Sequence, residues 1–215
     1  MITDNFDIIT KNLIAGGFLR PGDFFVVHVI QRAKDLKASG EYGEGDAKES
    51  QRLIKTWYID SVDYWEKKIP IIKEVAEMNH ARAYILPQVR NRLTVNRVLA
   101  KKVIEAIDDT NLRYDHLIRT AVCGCHSSER PMWVIDLDKD GHEQDWGEYV
   151  AKVEAAVIEL LRDRGCEPDE CAFEVPTPNG LHIVTWPFNK SKMKAIPLDE
   201  IKSDAMTLLY YNDGK

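Results

Sequence analysis

Two short apolar runs constrain the fold more than any other feature of the sequence. FFVVHVIQ at 24–31 and MWVIDL at 132–137 are rich in β-branched and aromatic residues, a composition typical of buried strands. They lie far apart in the chain, and segments with the apolar spacing of amphipathic helices follow each of them. The pattern predicts two β-rich lobes that each carry helices, in an α+β or mixed α/β protein.

The remaining elements follow from apolar periodicity and from turn residues. Further strands are predicted at 52–60, antiparallel to the first run, and at 81–86, 171–176, 180–186 and 206–211. Helices are predicted at 61–79, 93–108 and 147–164, with Ser61 and Thr94 as N-caps of the first two. Residues 37–51 hold three glycines and are predicted to be an exposed loop, and 109–130 has no clear pattern. We expect a single domain over 1–215, with one lobe at about 1–110 and the other at about 111–215.

In the helix predicted at 93–108, the apolar residues that recur with helical spacing are expected to face inward. These residues are Val95, Val98, Leu99, Val103, Ile104 and Ile107. In the helix predicted at 61–79, Pro70 is compatible only with a helix start or a kink.

Composition limits the classes of protein and partner. The 35 Asp+Glu outnumber the 29 Lys+Arg and give a net charge of −6, whereas proteins that coat nucleic acid by bulk charge are usually basic. No apolar run reaches the roughly 18 residues of a membrane span, and the N-terminus lacks the pattern of a signal peptide. Four cysteines in a chain of this length do not indicate a secreted disulfide scaffold. We therefore expect a cytoplasmic protein without a membrane partner.

Two carboxylates stand at the end of the second apolar run. Asp136 and Asp138 are two residues apart on a predicted strand, so their side chains point to the same face. Like charges this close raise each other's pKa unless a cation neutralises them, and oxygen ligands suit Mg²⁺ or Mn²⁺. An EF-hand loop is disfavoured because Gly147 occupies its twelfth position and Glu143 its eighth. A phosphatase of the haloacid-dehalogenase type is disfavoured because too little chain follows, and a strand that simply enters a polar loop stays an alternative.

A histidine follows a tight turn in the strand predicted at 180–186. Pro178–Asn179–Gly180 is favourable turn chemistry, and Gly180 permits close approach of a backbone to a ligand. His182 then lies on a strand expected to pair beside the strand that carries the two carboxylates. The alternative is that His182 is an ordinary core or surface residue.

These two motifs together resemble those of the archaeo-eukaryotic primase superfamily, which includes primase–polymerases and the polymerase domain of bacterial end-joining ligases. The matching residues are Val134–Asp138, an apolar strand with two spaced aspartates, and Gly180–His182, a small residue followed two positions later by His. The resemblance covers 132–211 by motif and 24–108 by element order. The family's third motif, an apolar residue followed by Asp, is matched best by Asp204, with Asp199 as the second choice. The resemblance implies a two-lobed primase–polymerase-like fold, with an N-terminal α/β lobe and a C-terminal RRM-like sheet.

The resemblance also implies a function. It predicts a two-metal nucleotidyltransferase that adds an NTP or dNTP to a 3′-hydroxyl, with DNA or RNA as template and primer. Asp136, Asp138 and Asp204 would hold the Mg²⁺ or Mn²⁺ ions, and His182 would contact the triphosphate. The compact size suits a phage or mobile-element protein, which would act in the host cytoplasm. A non-catalytic relative that binds a nucleotide or a protein partner, and a metal-dependent phosphoesterase acting on nucleotides, remain alternatives.

Cationic residues supply candidate phosphate contacts. The interval between Glu77 and Glu105 contains no acid, and Arg90 and Arg92 are expected to follow the strand predicted at 81–86. A second basic cluster begins at Lys190, although it could simply keep a loop soluble. The predicted nucleotide-binding set is Arg90, Arg92, Thr177, Asn179, Gly180, His182 and Lys190.

The cysteines offer a possible but disfavoured zinc site. Cys123, Cys125 and His126 form one cluster, and Cys166 and Cys171 form another. Four soft ligands drawn from the two clusters could hold a structural Zn²⁺. Their spacings differ from the usual C-x2-C pairs, however, and free buried thiols are commoner.

Overall fold

A computed structural model describes residues 1–33, 35, 51–111, 113–125 and 131–214, and in this part of the chain two antiparallel sheets form an α+β fold. The strands in chain order are β1 (Ile2–Asp4), β2 (Asp23–Arg32), β3 (Gln51–Ile59), β4 (Arg82–Asn91), β5 (Trp133–Asp138), β6 (Ala172–Thr177), β7 (Gly180–Thr185), β8 (Ile201–Lys202) and β9 (Thr207–Asn212). The first sheet has the order β1-β9-β4-β2-β3, and the second has the order β6-β7-β5-β8. The predicted α+β class is therefore confirmed.

Helices pack around the two sheets. They are α1 (Phe6–Ile9), which continues as a π-helical stretch (Thr10–Ile14), α2 (Val62–Met78), α3 (Arg92–Glu105), α4 (Tyr114–Cys123), α5 (Trp146–Arg162) and α6 (Pro168–Cys171). Short 3-10 turns lie at Lys190–Lys192 and Leu198–Glu200.

Strand β2 is buried on both faces, which explains its continuous apolar run. Phe25 and Val27 belong to a cluster that includes Trp65 of α2. Phe24 and Val26 point to the opposite face and pack with residues of α3 and α4. Further along the same strand, Ile30 and Arg32 line the cleft described below.

The second sheet packs one face on α5. Ile135 of β5 and Ile183 of β7 contribute to a cluster with Val153 and Val157 of that helix. Val134 and its neighbours on the other face join the cluster that holds the core of the first sheet. The two sheets therefore share buried contacts, and the polar residues of β5 and β7 lie at the edge of that shared region.

Strand β4 extends beyond the predicted 81–86. Arg90 pairs with Phe24 and Leu86 pairs with Val26, so the register shifts between these two β2 positions. The additional β4 residues form a bulge that accommodates Pro87, a residue that regular central strands exclude. Arg90 consequently lies inside the strand, and the prediction that it follows the strand is wrong.

Helix α3 differs from its prediction at both ends. Its N-cap is Asn91, whose Oδ1 accepts hydrogen bonds from the backbone of Leu93 and Thr94, so Thr94 is not the cap. Ile104 and Ile107 are 68% and 73% exposed rather than inward-facing, because the helix contacts the core through its earlier apolar residues.

Helix α2 confirms the predicted cap, since Ser61 Oγ accepts from the Tyr64 backbone N–H at 3.2 Å. Pro70 lies inside the helix on its exposed side, where water can satisfy the carbonyl that loses its partner.

The stretch 109–130, in which the sequence shows no clear pattern, contains α4, a helix that was not predicted. The predicted loop at 37–51 lies outside the described residues, except that Gln51 begins β3.

The chain end corrects the predicted lobe boundary. Strand β9 was expected in a lobe spanning about 111–215, but it lies in the first sheet between β1 and β4. Leu208, Leu209 and Tyr210 of this strand are buried there. Their apolar side chains thus complete the N-terminal core rather than the second sheet.

A carboxylate pair on the α5 side of the second sheet gives a pH-dependent prediction. Partial burial, together with the hydrogen bond and charge of Glu174, raises the pKa of Glu154 to about 7. The folded state therefore keeps a proton that the unfolded chain releases near pH 4.3, and the free energy of unfolding falls as pH rises between those values. We expect Glu154→Gln to raise that free energy by about 1–2 kcal/mol at pH 8, after allowance for partial solvent exposure, and to change it little at pH 4.

Urea denaturation at the two pH values measures this effect. Glu159→Gln, at an exposed position of the same helix, is the matched control. Equal changes in the two variants at pH 8 would contradict the prediction.

Candidate functional site

A cleft of about 360 Å³ lies between the two sheets. Side chains of the first sheet form one wall, among them Arg32, Arg82 and Tyr84. The other wall consists of β5, β8 and the β6–β7 turn, with Asp136, Asp138, Thr177, Asn179, His182 and Lys202. The structure therefore brings together both predicted strand motifs and the turn residues that precede His182.

The pairing of β5 with β7 positions the two motifs. Asp136 lies opposite His182, and Asp138 lies opposite Gly180. Opposed residues of an antiparallel pair project from the same face. His182 Nε2 consequently lies 3.1 Å from Asp136 Oδ1.

Gly180 permits this pairing because the β5 backbone passes very close to it. A Cβ atom at position 180 would lie 1.9 Å from the carbonyl oxygen of Leu137. The sequence predicted a close approach to a ligand at this glycine, but the approaching group is the neighbouring strand.

We expect Gly180→Ala to lower the free energy of unfolding by about 1–3 kcal/mol, because a backbone carbonyl cannot move aside as a flexible side chain can. Urea denaturation measures the change. Gly147→Ala on α5 is the control, since nothing lies within 4 Å of its added Cβ. A Gly180→Ala protein as stable as the control would show that the two strands can separate at no cost.

Asp136 is held between two donors. Its Oδ1 faces His182 Nε2 at 3.1 Å, and its Oδ2 accepts from Lys202 Nζ at 2.7 Å. The hydrogen bond from His182, followed by that from Lys202, holds the pKa of Asp136 far below its usual range despite the opposing effect of partial burial. The carboxylate is therefore ionised at neutral pH and requires positive partners.

The same contacts fix the orientation of His182. An ionised carboxylate can only accept, so His182 Nε2 must carry a proton. Its Nδ1 lies 3.0 Å from Thr207 Oγ1 on β9. The ring is thereby positioned as a donor on the cleft side, and its Nε2 does not have the free lone pair that a general base requires.

Lys202 lies on β8, which pairs with β5 on the side opposite to β7, and it contacts Asp136 from there. It pairs with Val134 on β5, which shares a face with Asp136 and Asp138. Partial burial lowers the pKa of Lys202, but the hydrogen bond and charge of Asp136 outweigh this effect and raise it overall. The side chain remains 44% exposed, so its ammonium is accessible from the cleft.

Two carboxylates of the cleft are candidate ligands for a divalent cation. Among residues 1–33, 35, 51–111, 113–125 and 131–214, no group of three or more His, Cys, Asp or Glu side chains is arranged to hold a metal ion. Mg²⁺, however, usually binds through one or two carboxylates together with water and substrate phosphates. Asp136 and Asp138 can supply those carboxylates, provided that Lys202 yields its place on Asp136.

The wall formed by the first sheet carries two arginines. Arg82 makes two hydrogen bonds to Asp35, at 2.8 and 2.6 Å, and its guanidinium lies 4.2 Å from the ring centre of Tyr211. Arg32 Nη1 lies 3.4 Å from the hydroxyl of Tyr84. Two guanidinium groups thus border the cleft, but Asp35 offsets the charge of Arg82, which leaves Arg32 as the candidate contact for an anionic ligand on this wall.

Arg90 and Asp204 form a separate structural ion pair. Arg90 is fully buried, and it donates from Nη2 to Asp204 Oδ1 at 2.9 Å. Its other donors reach the carbonyl oxygens of Val122 at 3.0 Å and Gln88 at 2.9 Å. Neither residue lines the cleft, so Arg90 is not available to a nucleotide, and Asp204 is not grouped with Asp136 and Asp138.

Two other predicted phosphate contacts also lie away from the cleft. Arg92 pairs with Asp60 at 2.5 Å at the start of α3. Lys190 donates to the Ile201 carbonyl at 2.6 Å, and its Nζ lies 4.5 Å from the ring centre of Trp133. Lys190 therefore stabilises the segment that precedes Lys202 and does not line the cleft.

Asp199, the second choice for the third carboxylate, lies in the 3-10 turn at Leu198–Glu200 and does not line the cleft. Its side chain is exposed. The structure thus groups neither candidate third acid with the two aspartates of β5.

The cysteines are separated by the fold. Cys125 packs in the cluster beneath α3 and α4, whereas Cys171 packs in the cluster beneath α5. Burial, with the neighbouring Cys166, raises the pKa of Cys171 to about 12, which opposes the thiolate form that zinc binds. The predicted zinc ligand His126 lies outside the described residues.

Sequence reasoning missed Lys202, Arg32 and Arg82 as site residues. Arg82 stood in the acid-free interval, but its position at the start of β4 gave no sign of the cleft. The third motif of the family is an apolar residue followed by Asp. Ile201–Lys202 has the apolar residue, but a lysine follows it where the motif has an aspartate. A search for acids alone therefore passed over it.

Comparison of the chain with protein-family models, with curated proteins and with solved structures finds no match. None of the helices in the described ranges is long and apolar enough to cross a membrane. The case for a function therefore depends on the residues and geometry of the cleft.

Proposed function

We propose that this protein is a metal-dependent nucleotidyltransferase of the primase–polymerase type. It would bind a nucleoside triphosphate in the cleft and join it to a 3′-hydroxyl of DNA or RNA, in a two-lobed fold of the same type. The supporting observation is the register of β5 and β7, which places Asp136 Oδ1 3.1 Å from His182 Nε2 and Asp138 opposite Gly180. Two motifs that are separate in the sequence thereby form one polar cluster.

The residues of the cleft have distinct roles in this proposal. Asp136 and Asp138 would hold a Mg²⁺ or Mn²⁺ ion, which would offset negative charge on the phosphate oxygens. His182 donates to Asp136 in the free protein; when the ion binds Asp136, the Nε2 proton of His182 would transfer that hydrogen bond to a triphosphate oxygen, and the ring would not act as a nucleophile. Arg32 and Lys202 would add positive charge around the triphosphate.

The size of the cleft suits a nucleotide ligand, and the net charge of the chain limits how it could contact a nucleic acid. Its volume of about 360 Å³ lies within the roughly 300–1,000 Å³ of small-molecule sites. The net charge of −6 argues that any contact with a template or primer is local. Action in the cytoplasm, including that of a host cell, belongs to the same proposal.

A nucleotide-binding protein without transferase activity is the second candidate. Lys202 favours it, because this lysine occupies Asp136 where a catalytic ion would bind. The ion pair of Asp204 with Arg90 favours it as well, since it holds the best candidate for a third acid outside the cleft.

Incubation with labelled NTPs or dNTPs, Mn²⁺ and a primed template tests the proposal. Incorporation with release of pyrophosphate supports the transferase. Nucleotide binding without any product supports the second candidate, and release of orthophosphate supports a phosphoesterase. A protein that binds no nucleotide with Mn²⁺ present would contradict the transferase and the binding protein alike.

A further inference from the structure

The carboxylate pair of β5 has hydrogen-bond donors on both neighbouring strands. β7 contributes His182 and β8 contributes Lys202, and each donates to a different oxygen of Asp136. These two strands are the hydrogen-bonded neighbours of β5 in the second sheet. In the described part of this sheet, the strands that flank Asp136 therefore supply no further carboxylate on the cleft face.

This arrangement limits the number of divalent ions that the cleft can hold. A second ion beside the first would bring two more positive charges next to the Lys202 ammonium, without a third carboxylate to offset them. Lys202 already provides a positive charge 2.7 Å from Asp136 Oδ2. Its 44% exposure leaves the ammonium free to exchange Asp136 for an anionic ligand in the cleft.

We propose that Lys202 serves as a built-in cation that replaces one of the two divalent ions, so that the cleft binds a nucleoside triphosphate with a single metal ion. This inference rests on the proposed function of the cleft. In the free protein the ammonium neutralises Asp136. When nucleotide and metal bind, it moves from the carboxylate to a phosphate oxygen, and the ion takes its place on Asp136 and Asp138.

Native mass spectrometry of the whole protein with Mn²⁺ and a non-hydrolysable ATP analogue counts the ions in each nucleotide complex. We expect one Mn²⁺ per bound nucleotide in the wild type and two in Lys202→Asp, which adds the missing carboxylate. Lys202→Met should keep one ion and bind the analogue about tenfold or more weakly by calorimetry, because it removes a charged hydrogen-bond donor. Lys194→Met, at an exposed position that does not line the cleft, should bind like the wild type.

The outcomes separate this inference from the function on which it rests. Two Mn²⁺ ions in the wild-type complex, or unchanged affinity in Lys202→Met, would overturn the role of Lys202 and leave nucleotide binding intact. A wild-type protein that binds no analogue at any Mn²⁺ concentration would overturn both. Because Lys202→Asp places like charges side by side and could unfold the protein, Lys202→Met provides an independent test.

Discussion

Asp136→Asn is expected to reduce nucleotide incorporation at least about 10²–10³-fold, the range seen when one electrostatic contact is removed from an active site. The substitution keeps the shape of the side chain but removes the negative charge that pairs with Lys202 and accepts from His182. It leaves the Lys202 ammonium facing a neutral amide, so the cleft loses the negative charge that would attract a metal ion. The measurement is the rate of labelled NTP or dNTP incorporation with Mn²⁺.

Asp140→Asn is the matched control for this prediction. It makes the same substitution in the same acidic segment, at an exposed position that does not line the cleft. Circular dichroism and urea denaturation should show both variants folded. Undiminished incorporation by a folded Asp136→Asn protein would exclude this carboxylate from the chemistry.

Arg90→Met should lower the free energy of unfolding by about 2–4 kcal/mol, because each buried acceptor that loses its donor costs about 1–3 kcal/mol. The guanidinium is fully buried, and it bonds carbonyl oxygens at the end of α4 and in β4 as well as Asp204. Methionine fills part of the space but leaves those acceptors unsatisfied. Urea denaturation measures the loss.

Arg97→Met on the exposed face of α3 is the comparison variant and should cost less than about 0.5 kcal/mol. If Arg90→Met instead kept its stability but lost nucleotide affinity, the predicted phosphate contact would be correct and the structural role wrong. Asp204→Asn gives a second test, because a third metal ligand at this position would be essential for metal binding.

The sequence predicted those parts of the fold in which local pattern and burial agree. β2 and β5 are short apolar runs, and α5 has a regular apolar stripe, so each was found within two residues of its ends. The bulge that carries β4 past Pro87 depends on pairing with β2 and has no local signal. The position of β9 in the first sheet depends on its pairing with β1 and β4. The apolar periodicity of a segment does not indicate which strands it pairs with.

The same distinction applies to the candidate site. Asp136 and Asp138 could be placed on one face from the sequence because a strand alternates its faces, whereas their grouping with His182 came from the family resemblance and depends on the pairing of β5 with β7. Arg90 misled the prediction because its type suggested phosphate binding, whereas its burial and partners are set by α4, an element the sequence did not reveal. Lys202 acts on Asp136 through the pairing of β8 with β5, a contact between distant segments.

The most direct test of a nucleotide site in this cleft is a crystal structure of the protein soaked with Mn²⁺ and a non-hydrolysable nucleoside triphosphate. We predict one anomalous peak bound by the carboxylates of Asp136 and Asp138, with the triphosphate in contact with His182 and Lys202. A nucleotide bound elsewhere, or an occupied metal site that does not include Asp136, would contradict the proposed function.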